Sequence, residues 1–461
     1  MKRRAFIKQT GLAATALAMP SLTQAAPSKQ PNIIYIMADD LGYGDLSCFG
    51  QKHFTTPNLD RMAKEGMKFT AHYAGSTVCA PSRCSLMTGL HTGHTFIRGN
   101  KEIQPEGQYP IPQNTFTVAE LMKQAGYTTG IIGKWGLGGP GSSGVPTKQG
   151  FDYWFGYLCQ REAHSFTPSH LWRNEEKVEL DSKTYSHDLF ADDSLRFIRE
   201  NKDNPFFLYL PFTIPHAEMH APKDAMEPFA DQFDETPFKG QGNYRAQQKP
   251  KAAFAAMVKR LDSDVGRILD LLNELKIADN TLVVFTSDNG PHQEGGHDPE
   301  FFDSNGPLRG IKRDLYEGGI RVPTLAYWPG TIQPGSVSDH PSAFWDFLPT
   351  CAELADVEAP DGIDGVSFAP TLLGDPAQQK THEFLYWEFH VSGGKGIKQA
   401  ARMGKWKAVR NRPDQPLELY DLETDLDESA NIAQQHPGII QKFEAYLKTA
   451  RTESDIFPLK I

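Results

Sequence analysis

Cysteine is scarce in this chain: five among 461 residues, at Cys48, Cys79, Cys84, Cys159 and Cys351. An odd number so thinly spread excludes a disulfide scaffold, and no pair has the short spacing of a zinc site. No pairing is expected. Positive charge is not in excess either, because 47 Lys and Arg face 57 Asp and Glu, a formal net charge of −10. Without a basic stripe, nucleic acid is not the expected partner. An anionic ligand would have to be held by a local cluster of cations. Long apolar runs are also missing. The run from Gly11 to Met19 is too short to span a membrane, so no membrane span is expected in the mature chain. No internal repeat or low-complexity segment is present, and the length suits one large α/β domain with a smaller one.

That apolar run follows Met1-Lys2-Arg3-Arg4-Ala5-Phe6-Ile7-Lys8 and precedes Thr23-Gln24-Ala25. Basic, apolar and small-residue parts in this order read as an export signal over residues 1–25, cut after Ala25. Arg3-Arg4-x-Phe6-Ile7-Lys8 resembles a twin-arginine leader, the other reading being an ordinary secretory signal. The expectation is a periplasmic or secreted protein that uses the twin-arginine export machinery.

The densest local pattern is Thr77-Val78-Cys79-Ala80-Pro81-Ser82-Arg83-Cys84-Ser85-Leu86-Met87-Thr88-Gly89. Pro81 suits a first helical turn, and Gly89 suits a helix end. Cys79 should then lie at a helix N-terminus, where free N–H groups favour an anion. Arg83, one turn on, adds a planar fork suited to sulfate or phosphate. The plainer alternative is a buried structural cysteine.

Four apolar runs read as strands buried on both faces. Asn32–Ala38 ends on Asp39-Asp40, hard oxygen ligands suited to calcium or magnesium, or else a turn. Tyr127–Ile132 delivers Gly133-Lys134-Trp135-Gly136. Asn204–Leu210 leads to His216 and His220. Thr281–Thr286 ends in Ser287-Asp288-Asn289-Gly290. Thr117 and Glu120 form a capping box ahead of a helix to Gln124. Ala252–Lys276 carries the longest helical pattern, through Phe254, Met257, Leu261, Val265, Ile268 and Leu272. The aromatic patch Phe151–Tyr157 reads as core packing. Beyond a polar linker the pattern changes to short strands at 384–389, 399–403, 406–410 and 417–421 and a final helix over 438–451. Residues 28–376 are therefore expected to form the catalytic domain and 382–461 an antiparallel subdomain. Weak candidates for substrate contact are His94, Arg98, Arg161, His164, Trp172, His220 and His297.

Cys79-x-Pro81-Ser82-Arg83 with Thr88-Gly89 resembles the signature of the type I sulfatases. Asp39-Asp40, Gly133-Lys134-Trp135, His216, Asp288-Asn289 and Lys312 within Pro307–Pro323 match further blocks in family order, across nearly all of the mature chain. The resemblance implies an alkaline-phosphatase-like α/β fold, a mostly parallel sheet between helices. It implies that a maturing enzyme oxidises Cys79 to formylglycine. Asp39, Asp40, Asp288, Asn289 and residue 79 would hold calcium; Arg83, Lys134 and Lys312 would hold the sulfate; His216 would protonate the leaving oxygen. One family position departs: the His of Gly-Lys-Trp-His is Gly136 here. The implied substrate is a sulfated sugar, of galactose or N-acetylgalactosamine type. A phosphate-ester or phosphonate hydrolase and a non-catalytic binder of sulfated glycans are the alternatives.

Overall fold

The computed structural model describes residues 30–391 and 396–459, so the expected export signal lies outside the described residues. Strand β1 (Asn32–Ala38) is buried at every position. Its side chains alternate between two hydrophobic clusters: Ile34 and Ile36 enter one, Ile33, Tyr35 and Met37 the other. Leu208 and Leu210 are separated from Phe207 and Tyr209 in the same way. Successive side chains of a strand point to opposite faces, so runs apolar at every position need a cover on both sides.

The remaining strands are β2 (Met67–Phe69), β3 (His72–Tyr73), β4 (Thr128–Lys134), β5 (Tyr153–Tyr157), β6 (His170–Arg173), β7 (Glu176–Glu179), β8 (Phe206–Pro211) and β9 (Thr281–Ser287). They continue with β10 (Thr324–Tyr327), β11 (Ser336–Ser338), β12 (Ser342–Ala343), β13 (Leu385–His390), β14 (Ile397–Met403), β15 (Trp406–Arg410) and β16 (Glu418–Asp421). Among the described residues the main sheet runs β11-β2-β10-β9-β1-β8-β4-β5-β6-β7. Its centre, β9-β1-β8-β4-β5, is parallel, and β10 and β6 flank it antiparallel. Helices Pro57–Glu65, Ser186–Asn201 and Pro250–Glu274 cover one face. Helices Cys79–Thr88, Val118–Gln124 and Phe347–Leu354 cover the other. The capping box forms: Glu120 N–H donates to Thr117 Oγ1 at 3.2 Å, and Thr117 N–H to Glu120 Oε2 at 2.9 Å.

Strands β13 to β16 make a separate antiparallel sheet, against which the helix Pro437–Leu447 packs Phe443 and Leu447. The whole is the alkaline-phosphatase-like arrangement, a mostly parallel sheet between helices with a small antiparallel sheet at the C-terminus. The aromatic patch Phe151–Tyr157 packs into both clusters, as the sequence suggested, and the structure adds its place in the sheet. Tyr153–Tyr157 is more than core packing: it is a central strand, β5, parallel to β4. Aromatics pack well in cores and in strands alike, so composition did not separate the two. Trp172 and Arg173 lie in a hairpin, β6-β7, whose turn passes through Asn174 at φ 53°.

Candidate active site

Parallel strands deliver their following residues to one edge of the sheet, and the functional residues gather there. Ala38 of β1 pairs with Ser287 of β9, so Asp39-Asp40 and Asp288-Asn289 emerge side by side. Lys134 is the last residue of β4, and His216 follows β8. The helix Cys79–Thr88, buried at all ten positions, points its N-terminal Cys79 at the same edge. Gly89 ends it in the left-handed region at φ 69°, which glycine adopts without steric cost.

Three buried carboxylates meet three buried cations. Lys134 Nζ lies 2.6 Å from Asp39 Oδ2, Lys312 Nζ 2.6 Å from Asp40 Oδ2, and Arg83 Nη2 2.7 Å from Asp288 Oδ2. Arg83 also donates to the carbonyl of Lys134. Burial works against the charge on Asp39, but Lys134, His216, Arg83 and Lys312 hold its carboxyl well below the usual range. Burial, followed by the charge of Asp39, pushes Asp288 up to about 7.

Cys79 Sγ lies 3.4 Å from Asp39 Oδ1 and 3.5 Å from Lys134 Nζ. Burial and then Asp39 push its thiol well up. The helix end expected to favour an anion is outweighed, and an unmodified Cys79 is a protonated thiol and a poor nucleophile. His216 Nδ1–H donates to the carbonyl of Ala217, so its neutral ring presents a lone pair at Nε2. That atom lies 3.1 Å from Lys312 Nζ and 3.2 Å from Asp40 Oδ2. Burial and then Lys312 press the ring towards its neutral form.

The donor set fits a hard divalent cation. Ligand atoms of Asp39, Asp40, Cys79 and His216 lie within 4.8 Å of one another. Asn289 donates through Nδ2 to Asp40 Oδ1 at 2.7 Å, while its buried Oδ1 has no partner. A buried amide oxygen without a donor, beside clustered carboxylates, suits an oxygen-preferring ion.

The weaker substrate candidates separate. His164 does reach the site: its ring stacks on His216 at 4.8 Å and 15° and faces Tyr244 at 5.3 Å. Arg98 is a correction. Its buried guanidinium is taken up by Thr95 O, Glu388 Oε1, Thr452 O and Thr452 Oγ1, so it joins the two sheets' subdomains instead of facing a ligand. His297 is a second correction, buried flat against Phe254 at 3.9 Å. His94 is held by Asp364 at 2.8 Å and stacks on His91 at 4.3 Å. Arg161 donates to the Pro105 carbonyl at 2.7 Å, and Trp172 Nε1 to Glu106 Oε1 at 2.7 Å. His220 is half-buried, and its carbonyl accepts from Tyr185. The sequence reading missed His292 and Glu294, whose ligand atoms cluster with Asp40. Their place directly after Asn289-Gly290-Pro291, beyond a buried strand, was the available signal.

Fold and site together define a member of the alkaline-phosphatase-like class. The chain belongs to the sulfatase family, whose enzymes are sulfuric ester hydrolases: the Sulfatase pattern matches residues 31–357, and the N-sulphoglucosamine sulphohydrolase C-terminal pattern matches residues 310–453. It is 35% identical over 367 residues to N-acetylgalactosamine-6-sulfatase of Homo sapiens, covering 74% of this chain and 66% of that one. It is 33% identical over 419 residues to arylsulfatase A of Homo sapiens, covering 83% and 75%. The solved structure of Ps i-CgsB in complex with k-i-k-neocarrahexaose superposes with a TM-score of 0.78 at 28% identity, covering 92% of this chain and 94% of that one. The chain thus spans just under two thirds of the N-acetylgalactosamine-6-sulfatase. No helix among the described residues is long and apolar enough to cross a membrane.

Proposed function

We propose that the protein hydrolyses a sulfate ester on a sulfated sugar, of galactose or N-acetylgalactosamine type, at residue 79. The observation that carries this reading is the charge balance around Cys79: three carboxylates against three cations, all buried, at a helix N-terminus. Asp39, Asp40, Asp288, Asn289 and residue 79 would hold a divalent cation, calcium in the first instance. That ion would supply the surplus positive charge a sulfate group needs. Cys79 matured to formylglycine would supply a hydrated aldehyde, with one hydroxyl to accept the sulfuryl group and a second to expel it.

The chain's own residues do the rest. Arg83, Lys134 and Lys312 bind the sulfate and neutralise charge as it shifts to the leaving oxygen. Lys312 Nζ and His216 Nε2 form one proton-sharing pair, and the leaving oxygen takes its proton from that pair. Residues 28–376 act as the catalytic domain, with 382–461 closing one side. The names of relatives support the sugar class, since one is an N-acetylgalactosamine-6-sulfatase and one structural neighbour holds neocarrahexaose. On this reading the protein also depends on a maturing enzyme for residue 79 and on export, with a twin-arginine leader, to the periplasm or beyond.

The test is Cys79→Ala, assayed with 4-nitrophenyl sulfate and a panel of sulfated sugars beside the matured protein. Turnover should vanish while the thermal unfolding midpoint stays near wild type. Turnover equal to wild type in that variant would sink the reading.

A further inference from the structure

The cations inside the site are spent. Arg83, Lys134 and Lys312 are buried, and each faces a carboxylate. They serve the one sulfate that reaches residue 79 and nothing further out on the sugar. Two arginines on surrounding loops are spent as well. Arg245 gives Nε and Nη2 to Glu218 at 2.6 and 2.7 Å. Arg161 gives Nη1 to Glu102 at 3.4 Å and Nη2 to the Pro105 carbonyl at 2.7 Å.

Arg313 is different. It follows Lys312 directly, yet its side chain is 51% exposed against 4% for Lys312. Its backbone lies in the left-handed region at φ 78°. A bulky residue keeps that conformation only where its surroundings enforce it. Here they do: the Arg313 N–H donates to Thr77 Oγ1 at 2.8 Å and to the Thr77 carbonyl at 3.1 Å, and the Arg313 carbonyl accepts from Lys398 Nζ at 2.9 Å. Thr77 stands two residues before Cys79, so the turn that sends Lys312 inward leaves Arg313 at the rim.

One arm of the fork, Nη1, donates to Glu294 Oε1. A carboxylate oxygen of Glu294 lies within 4.8 Å of ligand atoms of Asp40 and His292. The guanidinium therefore stands one carboxylate away from Asp40. Partial burial works against its charge, but Glu294, and after it Asp40 and Cys79, hold it charged, within the field of residue 79. Among the described residues Nε and Nη2 have no acceptor, so one edge of the fork is open. That edge matches a sulfate or a carboxylate, and Glu294 orders the side chain beforehand, which lowers the entropy lost on binding.

We propose that Arg313 reads a second anionic group on the sugar, a sulfate ester or a carboxylate close to the sulfate being removed. The preferred substrate is then a saccharide carrying two negative charges, and Arg313 is a specificity-determining residue.

This inference rests on sulfate-ester hydrolysis at residue 79, and the experiment separates the two. The matured protein is given N-acetylgalactosamine 6-sulfate, the 4-sulfate, the 4,6-disulfate, and a disaccharide joining a uronic acid to the 6-sulfated sugar; free sulfate is measured. The variants are Arg313→Asn, which is neutral and tolerates a left-handed backbone, and Arg313→Lys, which keeps the charge. Wild type should prefer a doubly charged sugar to the monosulfated ones. Arg313→Asn should cut that preference about 10–100-fold. The loss should fall on KM more than kcat, because the second anion is held alike before and during sulfate transfer. Arg313→Lys should keep part of it. A loss on the disulfate alone assigns a second sulfate, and a loss on the disaccharide alone assigns the carboxylate. A wild type without the preference, or an Arg313→Asn protein whose kcat falls equally on every sugar and on 4-nitrophenyl sulfate, would overturn the role of Arg313 alone. Turnover of 4-nitrophenyl sulfate with none of the sugars would overturn it together with the sugar class. An active Cys79→Ala protein would overturn the underlying reaction instead.

Discussion

Arg83 shows what a single side chain carries in this site. Its fork reaches Asp288 at 2.7 Å, Asp39 at 3.5 Å and the Lys134 carbonyl, tying a helix to the ends of three strands. Lysine keeps the charge but not the planar fork, so Arg83→Lys is not a conservative change. We expect kcat on an aryl sulfate to fall about 10²–10³-fold, with a lowered unfolding midpoint because the contacts of the fork to Asp288 Oδ2 and the Lys134 carbonyl are not both kept. A variant with unchanged kcat would place Arg83 outside the chemistry. At this scale the sequence was most informative where chemistry is local. Asp39, Asp40, Asp288 and Asn289 follow buried strands directly, and Cys79 opens a helix, so each position could be read from its neighbours. Arg98 and His297 could not be read so. Each looked like a loop residue free to meet a ligand, but the direction of a loop side chain depends on partners far along the chain, Glu388 for one and Phe254 for the other.

Between elements, the key contact lies where β13 meets the loop after the Cys79–Thr88 helix. Glu388 of β13 receives Arg98 at 3.1 Å and Arg451 at 2.9 Å, all three side chains buried. Burial opposes the charge, yet His390, Arg98 and Arg451 hold the carboxyl at about 2. Removing one member of a buried ion pair leaves the others uncompensated. Glu388→Gln should destabilise the protein by about 3–5 kcal/mol, read as a lower urea midpoint at neutral pH. A shift below about 1 kcal/mol, the scale of an exposed pair, would show the network to be solvated. Such pairing across 290 residues leaves no trace in local sequence, whereas the strand alternation and the Thr117 capping box do. The same distinction explains β5: its aromatics were visible, but its pairing with β4 was not.

Stability as a function of pH belongs to the whole molecule, and His72 gives it an acid limb. The ring is buried among Phe69, Phe344 and Phe368, with Nδ1 2.8 Å from Ser342 Oγ. Burial pushes its pKa down from 6.5 to about 4. The unfolded chain therefore binds a proton that the folded one refuses. This contribution to stability is complete above pH 6.5, is lost as pH falls from 6.5 to 4, and is flat below. Its size is about 3 kcal/mol. Urea unfolding at pH 7 and pH 4 should show a smaller loss for His72→Phe than for wild type; equal losses would remove His72 from the account.

The burial of Cys79 also sets a schedule. A thiol enclosed by Asp39, Lys134 and its own helix is closed to any macromolecular catalyst once the chain has folded. On the proposed reading, the nucleophile is decided during synthesis, in the interval before β1, β4 and β9 assemble around it. Folding then acts as a deadline: chains that miss it carry an intact architecture and a permanent thiol. Because a twin-arginine leader moves chains already folded, that sorting would be complete before export, and the population outside the cell would record how fast maturation ran against folding inside it.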